Sequence, residues 1–201
     1  MLRATRIPVI EIWDLPAQPI RHVVGFSNTA CIGRLVDHLV ASGYRDIAFI
    51  GGESPRDPRG GQRRRGFVEA MRRHGLDDTR LVPAGTAPVG MAEGAQALGA
   101  LLDSQPETRA VVCVSDLVAF GVISECQRRG IGIPGDLAVA GFGNYEIGRI
   151  SVPRLTTIDV HAGSIGSKAA DLIVALLRQD SDAAPARIEI QTDLIVRESS
   201  A

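Results

Sequence analysis

The stretch that decides the fold is Arg109–Asn144, which reads RAVVCVSDLVAFGVISECQRRGIGIPGDLAVAGFGN. It opens with Ala110–Val114, a short run rich in valine that predicts a buried strand. The pair Ser115–Asp116 offers good N-cap residues, and apolar residues at helical spacing then predict a helix over Leu117–Arg129. A second apolar run, Leu137–Phe142, predicts another strand.

These segments together predict a β-α-β unit. Because both strands are apolar on both faces, we expect helices to cover both sides of a parallel sheet. Ligands bind such sheets at the carboxyl ends of the strands. Those ends are Ser115–Asp116 and Gly143–Asn144, which lie far apart in the sequence but side by side if the two strands are neighbours.

Further elements extend this α/β pattern on either side of the unit. Strands are predicted at residues 7–13, 22–26, 47–50, 81–82, 156–160 and 188–196, and helices at 30–42, 62–74, 91–102 and 164–177. Residues 188–196 alternate partly and are predicted to be one edge strand. We expect a polar loop over 53–62 and an irregular segment over 147–155.

Composition narrows the classes of function. The formal net charge of −1 over 201 residues argues against a basic nucleic-acid platform. The three cysteines, Cys31, Cys113 and Cys126, are widely spaced and predict buried, reduced thiols. The histidines show no metal-ligand spacing, so we expect neither a metal nor a cofactor. Since no apolar run has membrane length and the first residues lack a signal-peptide core, we expect a cytoplasmic protein.

Enzyme motifs are also missing from the sequence. The glycines around Gly51–Gly52 and Gly60–Gly61 lack the Gly-Lys-Ser/Thr of a phosphate-binding loop. No nucleophile–base–acid set is evident, and Ser115 has no G-x-S-x-G context. The many arginines between residues 56 and 73 are interpreted as a solvated helix face. We therefore expect no catalytic residues.

Nine short motifs follow one another over nearly the whole chain. They are Ile7–Val9, Gly25–Asn28, His38–Val40 with Gly43–Arg45, Ile47–Gly52, Arg63 with Gly66–Phe67, Ser115–Gly121, Ile133–Asp136, Gly141–Asn144 and Pro153–Ile158. Their order resembles the effector-binding core of LacI/GalR-type bacterial transcriptional repressors. Glu11–Asp14 and Gly141–Gly143 look most like the gluconate-repressor branch of that family.

The resemblance implies a periplasmic-binding-protein-like type I fold, in which two parallel-sheet lobes are joined by three crossovers and a small ligand sits in the cleft. By the same resemblance, residues 28–157 and 187–198 form a complete C-terminal lobe, and residues 1–27 and 158–186 form a partial N-terminal lobe. By the same resemblance, we expect this chain to lack the helix-turn-helix domain of the family. The family also implies a homodimer and contact with operator DNA only through that missing headpiece.

The resemblance implies a ligand-holding role for Arg63, whose fork of donors suits vicinal hydroxyls or a carboxylate. The alternative is a solvated arginine in the run Arg63–Arg65. Asp116 is a candidate acceptor for sugar hydroxyls, although either Ser115 or Asp116 is equally suited to cap the following helix. Of these two, we expect Ser115 to face the cleft more directly.

Other positions at the predicted strand ends leave two interpretations open. Many family members carry an aspartate where this chain has Gly143, so Asn144 either supplies the acceptor or leaves none, and we expect a preference for anionic ligands. Trp13 and Asp14 end a strand of the first lobe, where an indole stacks on a sugar and a carboxylate accepts hydroxyls. The alternative is a core tryptophan and a turn aspartate.

We therefore predict the ligand-sensing and dimerisation core of a LacI-type regulator that binds a small sugar or sugar acid. One alternative is a transport-type sugar-binding protein, which the missing signal peptide disfavours. The other is a small α/β sugar-processing enzyme, which the missing phosphate loop and catalytic set disfavour.

Overall fold

The computed structural model describes residues 7–178 and 184–201. Within them the chain forms two compact units. The first unit runs up to Asn28 and resumes over Val160–Thr192, and the second comprises Thr29–Asp159 and Asp193–Ala201. No helix in the described part of the chain has both the length and the apolar character needed to cross a bilayer.

The elements alternate between strand and helix along most of the chain. They are β1 Ile10–Ile12, β2 His22–Gly25, α1 Asn28–Ala41, β3 Ile47–Gly51, α2 Pro58–Arg73, β4 Leu81–Pro83, α3 Met91–Ser104, β5 Ala110–Cys113, α4 Asp116–Arg129, β6 Ala138–Ala140, α5 Glu146–Ile150, β7 Thr157–Asp159, α6 Ala162–Arg178, β8 Arg187–Glu189 and β9 Asp193–Ile195.

The second unit is built on a parallel sheet in the order β4-β3-β5-β6. The predicted β-α-β unit is confirmed as β5-α4-β6, with Ala110 opposite Ala138. From β3 the chain steps outward to β4 and then crosses back to β5 on the other side of β3. The direction of winding therefore reverses between β3 and β5, which is where open α/β sheets bind ligands.

Apolar side chains from the sheet and from the helices fill the core of this unit. β3 and β5 are buried along their whole length. The helix predicted over 30–42 is confirmed as α1, and its side chains Ile32, Leu35 and Leu39 are fully buried. Helices α3 and α4 approach closely because Gly121 has no side chain. A Cβ at this position would collide with the carbonyl oxygen of Met91. This packing fixes the start of α4 beside the strand ends.

The first unit carries a parallel sheet in the order β1-β2-β8, with α6 packed against β1 and β2. Val23 and Val24 of β2 are fully buried. Large apolar side chains at Ile7 and Leu177 remain 74% and 69% exposed. The first unit therefore leaves apolar surface uncovered at these two positions.

Residues 188–196 do not form the single edge strand that we predicted. β8 pairs with β2 in parallel in the first unit, whereas β9 pairs with β7 in antiparallel fashion in the second. The polar pair Gln191–Thr192 separates them. Residues 187–192 therefore belong to the first unit, not to the C-terminal lobe.

Two segments that we predicted as irregular contain helix. α2 begins at Pro58 instead of residue 62, because Asp57 caps it by accepting from the Gly60 N–H at 3.0 Å and a proline is well suited to the first turn. The segment predicted to be irregular over 147–155 holds the short helix α5.

Candidate functional site

Arg63 lies at the carboxyl ends of the central strands of the second unit. Its Nη1 donates a hydrogen bond to the carbonyl oxygen of Val114 at 2.9 Å. Its guanidinium carbon lies 3.8 Å from the centre of the Phe142 ring, a cation–π contact. Val114 directly follows β5, and Phe142 follows β6 by two residues. The guanidinium is thus held at the strand ends. The ligand-binding role that we predict for Arg63 requires this position.

The charge of Arg63 is held in a largely desolvated position. Burial lowers the pKa of its guanidinium to about 10, while the nearby acidic groups Tyr145 and Asp57 act in the opposite direction. With this pKa the side chain is still positively charged at neutral pH. Hydrogen bonds from a desolvated cation to carboxylate or hydroxyl oxygens are stronger than the same bonds in water.

Asp116 is fully buried and bonded inside the protein. Its Oδ1 accepts from the Thr157 hydroxyl at 2.6 Å and its Oδ2 accepts from the Tyr145 N–H at 2.7 Å. Burial raises the pKa of this carboxyl, and the two bonds act in the opposite direction. We expected a ligand acceptor here, but both oxygens already serve internal donors. Asp116 therefore ties α4 to the Phe142–Tyr145 segment, and a ligand-acceptor role for it stays a prediction.

Ser115 is the residue that caps α4. Its Oγ accepts from the Val118 N–H at 3.3 Å, with extended backbone at the cap. This settles the choice that the sequence left open between Ser115 and Asp116. The hydroxyl proton of Ser115 is not used in the cap, so it is available for donation to a ligand oxygen.

Asn144 uses both ends of its side chain within the second unit. Its Nδ2 donates to Asp159 Oδ2 at 2.7 Å, and its Oδ1 accepts from Arg197 Nη2 at 2.7 Å. The side-chain oxygen that we expected to meet a ligand is therefore engaged by Arg197. Arg197 was missed by the sequence analysis because it lies 53 residues further along the chain and stands in no motif.

Gly143 is shaped by the tyrosine two residues later. Its φ of +124° is in the region that favours glycine. A Cβ at this position would lie 2.6 Å from Cε1 of Tyr145. A side chain at this position would therefore have to displace the Tyr145 ring. Tyr145 lies just outside the Gly141–Asn144 motif, and a glycine near an aromatic residue was the available signal for it.

Trp13 and Asp14 belong to the first unit and follow the carboxyl end of β1. The indole of Trp13 meets Phe26 edge-on at 6.4 Å, and its backbone has a φ of +70°. Asp14 Oδ1 accepts from the Leu15 N–H at 2.7 Å, as a turn residue does. Both side chains are partly exposed, and a ligand-contacting role for them stays a prediction.

Cys31, Cys113 and Cys126 are confirmed as buried thiols, and none of them forms a disulfide within the described part of the chain. Burial raises the pKa of Cys113 and Cys126, so both stay protonated and unreactive at neutral pH. Among the residues that the structure describes, no three His, Cys, Asp or Glu side chains are grouped to hold a metal ion.

Comparison with known proteins gives one consistent family. The profile of the periplasmic binding protein-like domain matches residues 36–200. The HTH-type transcriptional regulator GntR of Pseudomonas aeruginosa is 32% identical over 200 residues, which cover 100% of this chain and 57% of that protein. This chain therefore spans little more than half the length of the curated relatives that it matches.

Solved structures agree with this result. A LacI family transcriptional regulator from Silicibacter pomeroyi superposes with a TM-score of 0.91 at 37% identity, over 98% of this chain and 71% of that one. The transcriptional regulator CelR, solved as a cellobiose complex, has a TM-score of 0.83 at 26% identity, over 96% of this chain and 58% of that one. This chain has the α/β periplasmic-binding-protein-like fold and belongs to the LacI family of transcriptional regulators.

Proposed function

We propose that this chain is the ligand-sensing and dimerisation core of a transcriptional regulator, and that it binds a small sugar or sugar acid at the strand ends of the second unit. The observation that carries the proposal is the position of Arg63, which contacts Val114 and Phe142 beside the point where the winding of the sheet reverses. A charged donor held in this way is suited to ligand oxygens.

The chemistry of the site favours a ligand rich in acceptors. Arg63 has donors only, and the Ser115 hydroxyl has a proton to donate. Asp116 and Asn144 use their oxygens within the protein. Sugars and sugar acids supply hydroxyl and carboxylate oxygens in the spacing that a guanidinium fork binds. The CelR–cellobiose complex supports a carbohydrate ligand for this fold.

Ligand binding can regulate DNA binding only in a protein that also carries a DNA-binding headpiece. The names of the HTH-type relatives indicate that they carry one. A ligand that binds one conformation of the regulator more tightly than another shifts the balance between them, and operator affinity changes with that balance. Because such a protein acts where its operator is, we expect it in the cytoplasm. A regulator of this kind needs no catalytic residues, so we expect no catalysis.

We infer that the proposed homodimer uses an apolar surface on the second unit. Ile150 and Val152 are 72% and 75% exposed, and Met91 is 40% exposed at the start of α3. Helix α4 joins these positions, since Gly121 packs on Met91 and Gln127 donates to the Val152 carbonyl at 2.6 Å. Burying Ile150 or Val152 in a homodimer contributes about 1.5–3 kcal/mol each.

Sedimentation velocity tests the homodimer. We expect the parent chain to dimerise and Ile150→Asp to shift it to the monomer. Val196→Asp is the matched control, because Val196 is also apolar, exposed and part of the second unit. Loss of the dimer in both variants, or in neither, would remove this surface from the proposal.

Calorimetry with a panel of sugars and sugar acids tests the ligand. We expect saturable binding of at least one member without turnover, whereas turnover would favour the sugar-processing enzyme. In a gel shift we expect no sequence-specific operator binding by these 201 residues alone, and specific binding would contradict the proposal. A full-length protein whose operator affinity did not respond to the bound sugar would favour the transport-type alternative.

A further inference from the structure

The Phe142–Tyr145 segment is fixed to its surroundings through successive backbone groups. The Phe142 carbonyl accepts from the Asp116 N–H at 3.0 Å, and the Gly143 N–H donates to the Ile158 carbonyl at 3.0 Å. The Tyr145 N–H then donates to Asp116 Oδ2 at 2.7 Å. With its backbone held at these points, the segment sets the position of the Tyr145 ring next to Gly143.

The Tyr145 ring occupies the space that a side chain at position 143 would need. A Cβ on Gly143 would lie 2.6 Å from Cε1, 3.0 Å from Cδ1 and 3.1 Å from Cζ of this ring. The side chain of Tyr145 is nevertheless among the exposed large residues, at 44%. The partly exposed phenol of Tyr145 thus fills the space next to Gly143 that a side chain at position 143 would fill.

Tyr145 and Arg63 contact neighbouring residues of the same segment. The Tyr145 ring lies against Gly143, and the guanidinium carbon of Arg63 lies 3.8 Å from the centre of the Phe142 ring. The phenol and the guanidinium therefore belong to one site, and each has a proton to donate.

We propose that Tyr145 determines the ligand specificity of this site, because its hydroxyl donates a hydrogen bond to an oxygen of the group that Arg63 binds while its ring keeps a side-chain carboxylate away from position 143. This inference rests on the proposed function and adds a residue to it. Hydrogen bonds to charged acceptors are stronger than those to neutral ones. The phenol therefore favours a ligand carboxylate over a neutral hydroxyl.

The variant Tyr145→Phe tests this inference because it keeps the ring and removes only the hydroxyl. The probes are D-gluconate and D-glucose, which share a carbon chain and differ at C1. We expect the affinity of Tyr145→Phe for gluconate to fall roughly 10- to 100-fold, with at most about a threefold change for glucose. Tyr44→Phe is the matched control, since the Tyr44 hydroxyl donates only a long bond to the Pro134 carbonyl at 3.4 Å.

Each outcome of the calorimetric titration decides the inference. A parent chain that prefers gluconate and loses this preference in Tyr145→Phe, with an unchanged melting temperature, supports it. Unchanged gluconate affinity in Tyr145→Phe, or a parent that binds glucose as tightly as gluconate, overturns the role of Tyr145 and leaves the proposed function standing. A parent chain that binds no sugar or sugar acid overturns both.

Discussion

Replacing Arg63 by methionine separates its role in ligand binding from its role in stability. Methionine keeps a long unbranched stem and still packs on the Phe142 ring. It removes the charge, the hydrogen bond to the Val114 carbonyl and every donor that the side chain offers to a ligand. We expect the variant to fold as the parent does and to lose most of its ligand affinity.

The stability terms for this substitution nearly cancel. At about 1.4 kcal/mol for each pKa unit, lowering the Arg63 pKa from its ordinary value to about 10 corresponds to about 3 kcal/mol against the charged guanidinium. The hydrogen bond to the Val114 carbonyl contributes about 1.5–3 kcal/mol, and the desolvated cation–π contact with Phe142 contributes about 1–2 kcal/mol. The free energy of unfolding should therefore change by no more than about 2 kcal/mol.

The binding terms do not cancel. Losing one partner of a desolvated charged hydrogen bond costs about 2–5 kcal/mol, which corresponds to a roughly 30- to 5000-fold weaker dissociation constant. Calorimetry with the bound sugar or sugar acid measures this loss, and urea unfolding measures the stability. Arg65→Met is the matched control on an exposed side chain of the same helix and should change neither. A variant that keeps parent affinity, or that loses affinity only because it unfolds, would refute the reasoning.

Three further perturbations test the geometry around the site. Gly143→Ala should lower the free energy of unfolding by roughly 1–3 kcal/mol because φ is +124° and the methyl group meets the Tyr145 ring; urea unfolding within error of the parent would contradict this. Ser115→Ala should lower it by about 1 kcal/mol through loss of the Val118 cap, whereas Ser115→Asp should retain the cap, which thermal unfolding of both variants measures. Burial lowers the pKa of His38 below 6.5, so the unfolded chain binds the proton first and stability is lost as pH falls through that value. His38→Gln should lose less stability than the parent between about pH 7.5 and about pH 5. Equal losses in the two proteins would contradict a lowered pKa of His38.

The sheet of the second unit could be predicted from the sequence because its signals are local. The valine run before Ser115 and the apolar periodicity up to Arg129 each identify an element without knowledge of the rest of the chain. The position of Arg63 came from the resemblance to the family, and the contacts with Val114 and Phe142 agree with it.

The hydrogen-bond partners at the strand ends could not be predicted, because they lie far apart in the sequence. Asp116 and Asn144 both look like ligand acceptors in the sequence, and nothing near them shows that Thr157 and Arg197, 41 and 53 residues away, are their partners. A local pattern carries no information on such pairs. Tyr145 was missed for a related reason, since only the backbone angle of its neighbour reveals where its ring lies.

The two strands in residues 188–196 show a different limit. Ile188 and Leu194 have the same alternation as they would in one strand, yet they pair with β2 and β7 in separate units. Alternation reports which face of a strand is apolar and not which sheet the strand joins. The start of α2 was misplaced because Gly60 and Gly61 suggested a loop and outweighed the capping signal of Asp57.

A crystal structure of the chain with its bound sugar or sugar acid would show whether Arg63 holds the ligand. We expect a ligand oxygen within about 3 Å of a guanidinium nitrogen of Arg63, with the ligand lying over the strand ends at Ser115 and Phe142. A ligand bound elsewhere on the chain, with Arg63 still turned to the Val114 carbonyl and touching no ligand atom, would contradict it.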